Sequence, residues 1–105
     1  MDAQSTLDSI RHEAIRVLPP DGVAILYGSH ARGDWHAASD WDILIILNKD
    51  FLEPSDYDAI SYPFVLLGCE LGQEINPILY TRKEWDMYHG TPFSHNVERD
   101  GILLN

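Results

Sequence analysis

The stretch that decides the fold is residues 22–47, which read GVAILYGSHARGDWHAASDWDILIIL. Two apolar runs, Val23–Tyr27 and Ile43–Leu47, flank a segment that is rich in glycine, serine and aspartate. Short aliphatic runs bounded by turn-forming residues are typical of buried strands. The sequence therefore predicts two core strands, joined by a loop that contains the most distinctive polar residues of the chain.

This loop begins with residues that suit an anion and ends with residues that suit a cation. Gly28-Ser29 directly follows the first strand and offers backbone N–H groups and a hydroxyl. Asp40 and Asp42 open the second strand, and because strand side chains alternate, both carboxylates point to the same side. Two such charges repel each other unless a cation lies between them, and hard oxygen ligands favour Mg²⁺ or Mn²⁺. The pattern predicts a metal and phosphate site.

The rest of the chain alternates between helical and extended patterns. Its predicted elements are a helix over 4–18, a helix over 56–71, a strand over 74–80, short helices after Thr81 and Thr91, and an apolar tail over 102–104. Pro63 should kink the second helix or delay its start, and Pro77 should place the third strand at a sheet edge. We also expect Ser29 to cap a short helical turn. The fold class is α/β (α+β), a small mixed sheet of three to four strands with helices packed on it.

Composition and charge limit the function classes. The 105 residues suffice for one domain, which we place at residues 1–105. The net charge of −10 argues against a broad nucleic-acid surface, but not against a nucleotide that brings its own cation. No apolar stretch approaches the ~20 residues of a membrane span, and the polar N-terminus is unlike a signal peptide, so we expect a cytoplasmic protein. The one cysteine, Cys69, is expected to be a small buried hydrophobe.

The central motif resembles a known signature, that of the minimal nucleotidyltransferases in the DNA polymerase β superfamily. The signature is Gly-Ser-x-x-Arg-Gly, a short spacer, and Ser-Asp-x-Asp before an aliphatic strand. Here it reads Gly28-Ser29-His30-Ala31-Arg32-Gly33, followed by Ser39-Asp40-Trp41-Asp42. The match is close over residues 22–47, and the flanking elements fit the family only as a pattern.

The resemblance implies that the chain binds a nucleoside triphosphate, with ATP as the first choice. Gly28 and Ser29 would hold the β and γ phosphates. Arg32 would contact phosphate or fix the loop before the aspartates, and Ser39 would belong to the same nucleotide-binding set. An acceptor hydroxyl would attack the α-phosphate in line, and pyrophosphate would leave.

The resemblance also implies a set of metal ligands that act in catalysis. Asp40 and Asp42 would ligate divalent cations, and family members typically use a third carboxylate on a later strand. In the third strand Glu74 and Asn76 face the same side, so either of them could occupy that position. We favour Glu74 as third ligand, because an asparagine can ligate through its carbonyl but cannot act as a base. The alternative is an incomplete triad.

Two functions follow. The first is a nucleotidyltransferase that transfers a nucleoside monophosphate to a hydroxyl, and small members of the family are often paired, as antitoxin, with a small helical toxin. The second is a nucleotide-binding module of weak or no activity that acts by binding its partner. Because the chain has little beyond a catalytic core, the acceptor site would be supplied by such a partner or by a homo-oligomer.

The aromatic and histidine residues near the motif receive simpler interpretations. His30 and His36 are expected to be exposed in the loop without a catalytic role. Trp41 faces away from the aspartates and should pack beneath a helix. The aromatic C-terminal region is expected to be core or a partner-facing surface; it comprises Tyr80, Trp85, Met87, Tyr88 and Phe93.

Overall fold

A computed structural model describes residues 2–105. The helices are α1 (Ala3–Val17), α2 (Ser29–Arg32), α3 (Pro54–Asp56), α4 (Tyr62–Leu71), α5 (Arg82–Met87) and α6 (Pro92–Asp100), with a π-helical turn at Tyr57–Ser61 between α3 and α4. The strands are β1 (Val23–Tyr27), β2 (Trp41–Leu47), β3 (Ile75–Thr81) and β4 (Ile102–Leu103). None of the helices within these residues combines the length and apolar character that a membrane span needs.

The four strands form one mixed sheet in the order β3-β2-β1-β4. β1 pairs antiparallel with β2 and β4, whereas β2 pairs parallel with β3 through a helical crossover, as a parallel connection requires. The prediction of a mixed sheet of three to four strands with packed helices is confirmed. The third predicted strand lies at an edge, as Pro77 indicated, and the apolar tail supplies the fourth strand.

One face of the sheet, which we call the closed face, is covered by α1 and α4. Its core contains Ile10 from α1, Phe64 from α4, and Ile43 and Ile45 from β2, all with 0% of their surface exposed. Trp41 also lies on this face and is buried, as predicted, and its indole N–H donates to the side chain of Gln73 at 3.1 Å. Alternation along β2 therefore places Trp41, Ile43 and Ile45 beneath these helices.

The opposite face, which we call the open face, is covered only in part by α5 and α6. Leu44, Ile46 and Val97 are buried there, with half-buried aromatic side chains around them. Phe93 lies edge-on to Tyr27, with ring centroids 5.4 Å apart, and to Trp85, at 5.6 Å. The aromatic region is thus a second, smaller core, from which Met87 projects with 78% of its surface exposed.

The helical segment that links β2 to β3 differs from the prediction in two respects. Helical structure begins at Pro54, earlier than predicted, and a π-helical turn, closed by the N–H of Tyr62 bonding to the carbonyl of Tyr57, comes before α4. The α4 helix itself starts at Tyr62 with Pro63 in its first turn, in agreement with the predicted delayed start. Pro63 lacks an N–H and its ring crowds the carbonyl four residues earlier, which disfavours regular α-helical bonding there. The second difference is that Cys69 is exposed, which corrects the prediction of a buried cysteine, because α4 buries only Phe64 and Gly68.

Candidate functional site

The turn after β1 is shaped by a close approach of its glycine to an aspartate. Gly28 has φ +78°, and a Cβ at this position would collide with Oδ2 of Asp42. Only glycine therefore fits both the backbone conformation and the available space. The helical turn starts at Ser29 itself, with the N–H groups of Ala31 and Arg32 bonding to the carbonyl of Gly28 at 3.1 Å. Gly28 is the capping residue, so the prediction that Ser29 caps the turn was wrong.

The two aspartates lie beside this turn at the start of β2. Strand pairing sets Asp42 opposite Tyr27 of β1 and opposite Asn76 of β3. The amide N–H of Asn76 donates to Oδ2 of Asp40 at 3.2 Å. Burial raises the pKa of Asp42, and the neighbouring negative charge of Asp40 raises it further. The pair is therefore close enough for the charge of Asp40 to disfavour ionisation of Asp42.

Glu74 lies next to the same pair but on the solvent side. Its backbone carbonyl accepts a hydrogen bond from the N–H of Trp41 at 2.8 Å, which fixes the start of β3 against the start of β2. A hydrogen bond with Asp40 raises the pKa of Glu74, since the protonated Glu74 carboxyl can donate to Asp40. The negative charges of Asp40 and Asp42 act in the same direction. The structure thus brings Glu74 and Asn76 to the same end of the sheet as the two aspartates.

The side chains at this end offer a donor set suited to a hard cation. Within residues 2–105, no three Asp, Glu, His or Cys side chains form a group that could hold a metal ion as they stand. Asp40 and Asp42 provide carboxylate oxygens, and Asn76 would add a carbonyl oxygen on rotation of its amide. The raised pKa values of Asp42 and Glu74 indicate negative charge that a cation would neutralise. These residues fit Mg²⁺ or Mn²⁺ that arrives with phosphate oxygens to complete its coordination.

The other predicted nucleotide-binding residues lie around the loop. Ser29 is half-buried at the start of α2. Arg32 is exposed and forms an ion pair with Asp34, with Nε 3.3 Å from Oδ2. The Ser39 hydroxyl accepts a hydrogen bond from the N–H of His36 at 2.9 Å and closes the turn before the aspartates. Arg32 is therefore free to rotate toward an anion, whereas the Ser39 side chain has a structural contact.

Sequence reasoning missed one residue that joins the two halves of the site. The ring of His30 lies face to face with Trp41, with centroids 3.6 Å apart and planes 10° apart, and it also stacks with Trp35, with centroids 5.2 Å apart. Nε2 of His30 is also 3.2 Å from the carbonyl oxygen of Ser39. His30 is half-buried, contrary to the expectation of an exposed histidine, whereas His36 is exposed as predicted. His30 thus ties the glycine-serine turn to the aspartate strand.

Comparison with protein families identifies the region that contains these residues. The nucleotidyltransferase domain family matches residues 8–87. A protein of Methanocaldococcus jannaschii named "Putative protein adenylyltransferase" is 36% identical over 80 residues, which cover 76% of this chain and 74% of that protein.

Two solved structures share the fold. A chain in a toxin–antitoxin crystal structure with AMP-PNP superimposes with a TM-score of 0.64 at 20% identity, covering 94% of this chain and 72% of that one. A chain in the complex of tri-AMPylated Shewanella oneidensis HEPN toxin with MNT antitoxin gives a TM-score of 0.58 at 19% identity, covering 97% of this chain and 71% of that one. At these identities the likeness concerns the fold.

Proposed function

The chain belongs to the nucleotidyltransferase domain family, and on that premise we propose that it transfers AMP from ATP to a hydroxyl group of a partner protein. The proposal treats residues 1–105 as one catalytic domain that depends on Mg²⁺ or Mn²⁺. The observation that carries it is the close approach of Gly28 to Asp42, which sets the turn after β1 directly against a carboxylate. A metal–triphosphate needs an anion site and a cation site side by side.

In this proposal the Gly28-Ser29 turn, Arg32 and the two aspartates beside the turn hold the nucleotide and its cation. The backbone around Gly28 and Ser29 binds the β and γ phosphates, and Arg32 leaves its exposed ion pair with Asp34 to neutralise phosphate charge. Asp40 and Asp42 hold the divalent cation. The cation supplies charge neutralisation of the phosphates and of the developing transition state. Catalysis in such sites is mostly positioning and electrostatic stabilisation, since the protein need not form a covalent bond.

The chemical step then requires only one proton acceptor. The acceptor oxygen forms a bond to the α-phosphorus while the bond to the leaving pyrophosphate breaks, and the hydroxyl proton passes to a nearby base. We assign that base, and the third ligand position, to Glu74, because its carboxyl lies beside Asp40 and a carboxylate, unlike the Asn76 amide, can accept a proton.

The choice of AMP and of a protein acceptor rests on the relatives. The Methanocaldococcus jannaschii relative is named for protein adenylylation, and both solved structures are of toxin–antitoxin assemblies. We therefore propose that this chain acts as an antitoxin that modifies a small helical toxin. A homo-oligomer remains the alternative source of an acceptor site.

A second function has its own supporting observation. The donor set contains Asn76 where a carboxylate would complete a triad, and residues 2–105 contain no ready group of three metal-ligating acids. On this basis the chain would bind nucleotide and a partner without turnover, and would neutralise the partner by contact.

One experiment separates the two functions. The full chain is incubated with Mg²⁺, α-labelled ATP and the protein encoded by the adjacent gene, and both labelled protein and released pyrophosphate are measured. Label that disappears in a folded Asp42→Ala variant supports the enzyme. Absence of label together with a stable, inhibited complex favours the binding module. A Glu74→Gln variant then tests the base, because unchanged turnover in that variant would exclude Glu74 from the role.

A further inference from the structure

A groove follows the outer edge of β3, between that strand and α4. It has a volume of about 520 Å³. Its walls include Val65, Gly68 and Cys69 from α4 and Glu74, Asn76 and Pro77 from the other side. Glu74 and Asn76 also belong to the candidate site, so the groove and the site share these two residues.

The groove is built by a glycine contact and by the edge position of β3. A Cβ at Gly68 would lie 2.6 Å from the carbonyl oxygen of Gln73 and 3.3 Å from the Ile75 side chain, so only glycine allows α4 to approach the start of β3. Val65, with 41% of its surface exposed, and Cys69 form the outer rim. The result is an apolar channel on the surface, with the polar end at the site.

The strand order sets the direction from which an acceptor can approach. The Gly28-Ser29 turn follows β1, whereas Glu74 and Asn76 belong to the β3 side, and the β2 aspartates lie between them. In an in-line displacement the attacking oxygen and the leaving group lie on opposite sides of the phosphorus. With the pyrophosphate on the β1 side, the acceptor hydroxyl arrives over β3. We propose that the groove between α4 and β3 binds the acceptor segment, an inference that rests on the proposed function.

Charge and shape specify the segment that fits. The groove presents apolar side chains, Glu74 is its one charged lining residue, and Glu70 is exposed on α4 beside Cys69. The occupant is therefore an extended segment of a different protein, with a Ser, Thr or Tyr hydroxyl between apolar residues and with flanking Lys or Arg. A second copy of this chain is a poor occupant, because it would bring another charge of −10 to an acidic surface.

The single cysteine of the chain provides a direct test, because thiol reagents can attach only at Cys69. The probes are synthetic peptides that contain one Tyr, Ser or Thr between leucines, flanked by lysines, and matched peptides flanked by glutamates. We expect at least one lysine-flanked peptide to slow alkylation of Cys69 by N-ethylmaleimide, and the glutamate-flanked peptides to have no effect. Equal alkylation rates with every peptide would overturn the proposal.

A second readout connects the groove to transfer. Attaching a bulky maleimide at Cys69 should raise KM for the acceptor about tenfold or more, and a tenfold change corresponds to roughly 1.4 kcal/mol of acceptor binding free energy. The Kd for AMP-PNP should stay unchanged. The matched control is Cys69→Ser with Ile15→Cys, because Ile15 is 68% exposed on α1 and does not line the groove. The control, once alkylated, should transfer normally.

The outcomes distinguish the two claims. Equal transfer by the blocked and control proteins would overturn the groove assignment and leave the proposed function standing. Protection of Cys69 without any transfer in the unmodified protein would overturn the proposed function, and with it the groove's role for an acceptor.

Discussion

The closed and open faces of the sheet are made by alternate residues of the same strands, yet they differ in burial and in chemistry. Trp41 is 2% exposed beneath the helices, whereas its neighbour Asp42 is half-buried on the open face with a raised pKa. The closed face is filled by aliphatic side chains together with Trp41 and Phe64, and the open face combines a partial aromatic core with acids. Because alternate residues of a strand face opposite sides of the sheet, the side chains that fill the main core lie on the closed face and the candidate site residues lie on the open face.

The largest expected effect is on the closed face. Phe64→Ala removes a fully buried side chain and leaves a cavity, so the free energy of unfolding should fall by about 3–5 kcal/mol. Chemical denaturation monitored by far-UV circular dichroism measures this loss. Affinity of the remaining folded protein for AMP-PNP should change little. A loss of affinity equal to the loss of stability would mean that the two faces are not separable.

The open face should show the reverse behaviour. Asp42→Asn should reduce nucleotidyl transfer by about 10²–10³-fold, because a charge that supports the transition state is lost. Its unfolding free energy should stay the same or rise slightly, since the mutation removes one member of a like-charged pair. Because the pKa of Asp42 is raised, its ionisation lowers the free energy of unfolding as pH rises through that pKa. Removing the charge by mutation should therefore not destabilise the protein. Marked destabilisation of Asp42→Asn would contradict the conclusion that the two faces separate stability from chemistry.

The glycine turn connects the two properties. Gly28→Ala imposes strain at φ +78° and a collision with Asp42, so we expect a loss of about 1–3 kcal/mol in stability together with weaker AMP-PNP binding. Gly33→Ala is the matched control, because Gly33 has φ +85° but a Cβ there meets nothing within 4 Å. Equal nucleotide affinities in the two variants would show that the approach to Asp42 does not shape the binding site.

Truncating a phenylalanine on the open face should destabilise the protein less than truncating Phe64 on the closed face. Phe93→Ala truncates a half-buried ring on the open face and should cost roughly 1–2 kcal/mol, less than Phe64→Ala, because less apolar area returns to water. Urea titrations of both variants supply the two values. A cost equal to that of Phe64→Ala would mean that the second core contributes as much to stability as the first.

The smallest effect concerns alkaline pH. A hydrogen bond with Tyr88, together with burial, raises the pKa of Tyr80 from 10.0 to about 12. Because the folded state favours the neutral phenol, this stabilisation is present below pH 10 and is lost as pH rises toward 12. Urea midpoints measured over this range should fall less steeply in Tyr80→Phe than in the wild type. Tyr57→Phe, at an exposed position, should behave like the wild type.

Much of this arrangement was predictable because it depends on local patterns. The predicted bounds of β1 agree with the structure, and those of β2 and β3 agree to within a few residues, because aliphatic runs and alternation report burial directly. The same alternation correctly set Trp41 apart from the aspartates. Gly33 has the left-handed conformation expected of a glycine that ends a helical turn.

The errors arise where the outcome depends on contacts distant in sequence. α4 is apolar around most of its circumference, with Tyr62, Val65 and Leu66 exposed, so periodicity could not show that Cys69 faces solvent. The stack of His30 on Trp41 forms only when the loop folds back on the strand, and neither spacing nor propensity reports it. Whether Glu74 or Asn76 completes the site depends on side-chain rotamers, which a sequence pattern does not specify.

The parallel pairing of β2 with β3 also gives the molecule an order of assembly. β1 and β2 are near neighbours along the chain, whereas α3, the π-helical turn and α4 separate β2 from β3. Pairings that close short loops form sooner than those that close long ones, and synthesis on the ribosome delivers β1 and β2 first. The turn at Gly28 and the two aspartates would therefore come together early, and Glu74 and Asn76 would join later.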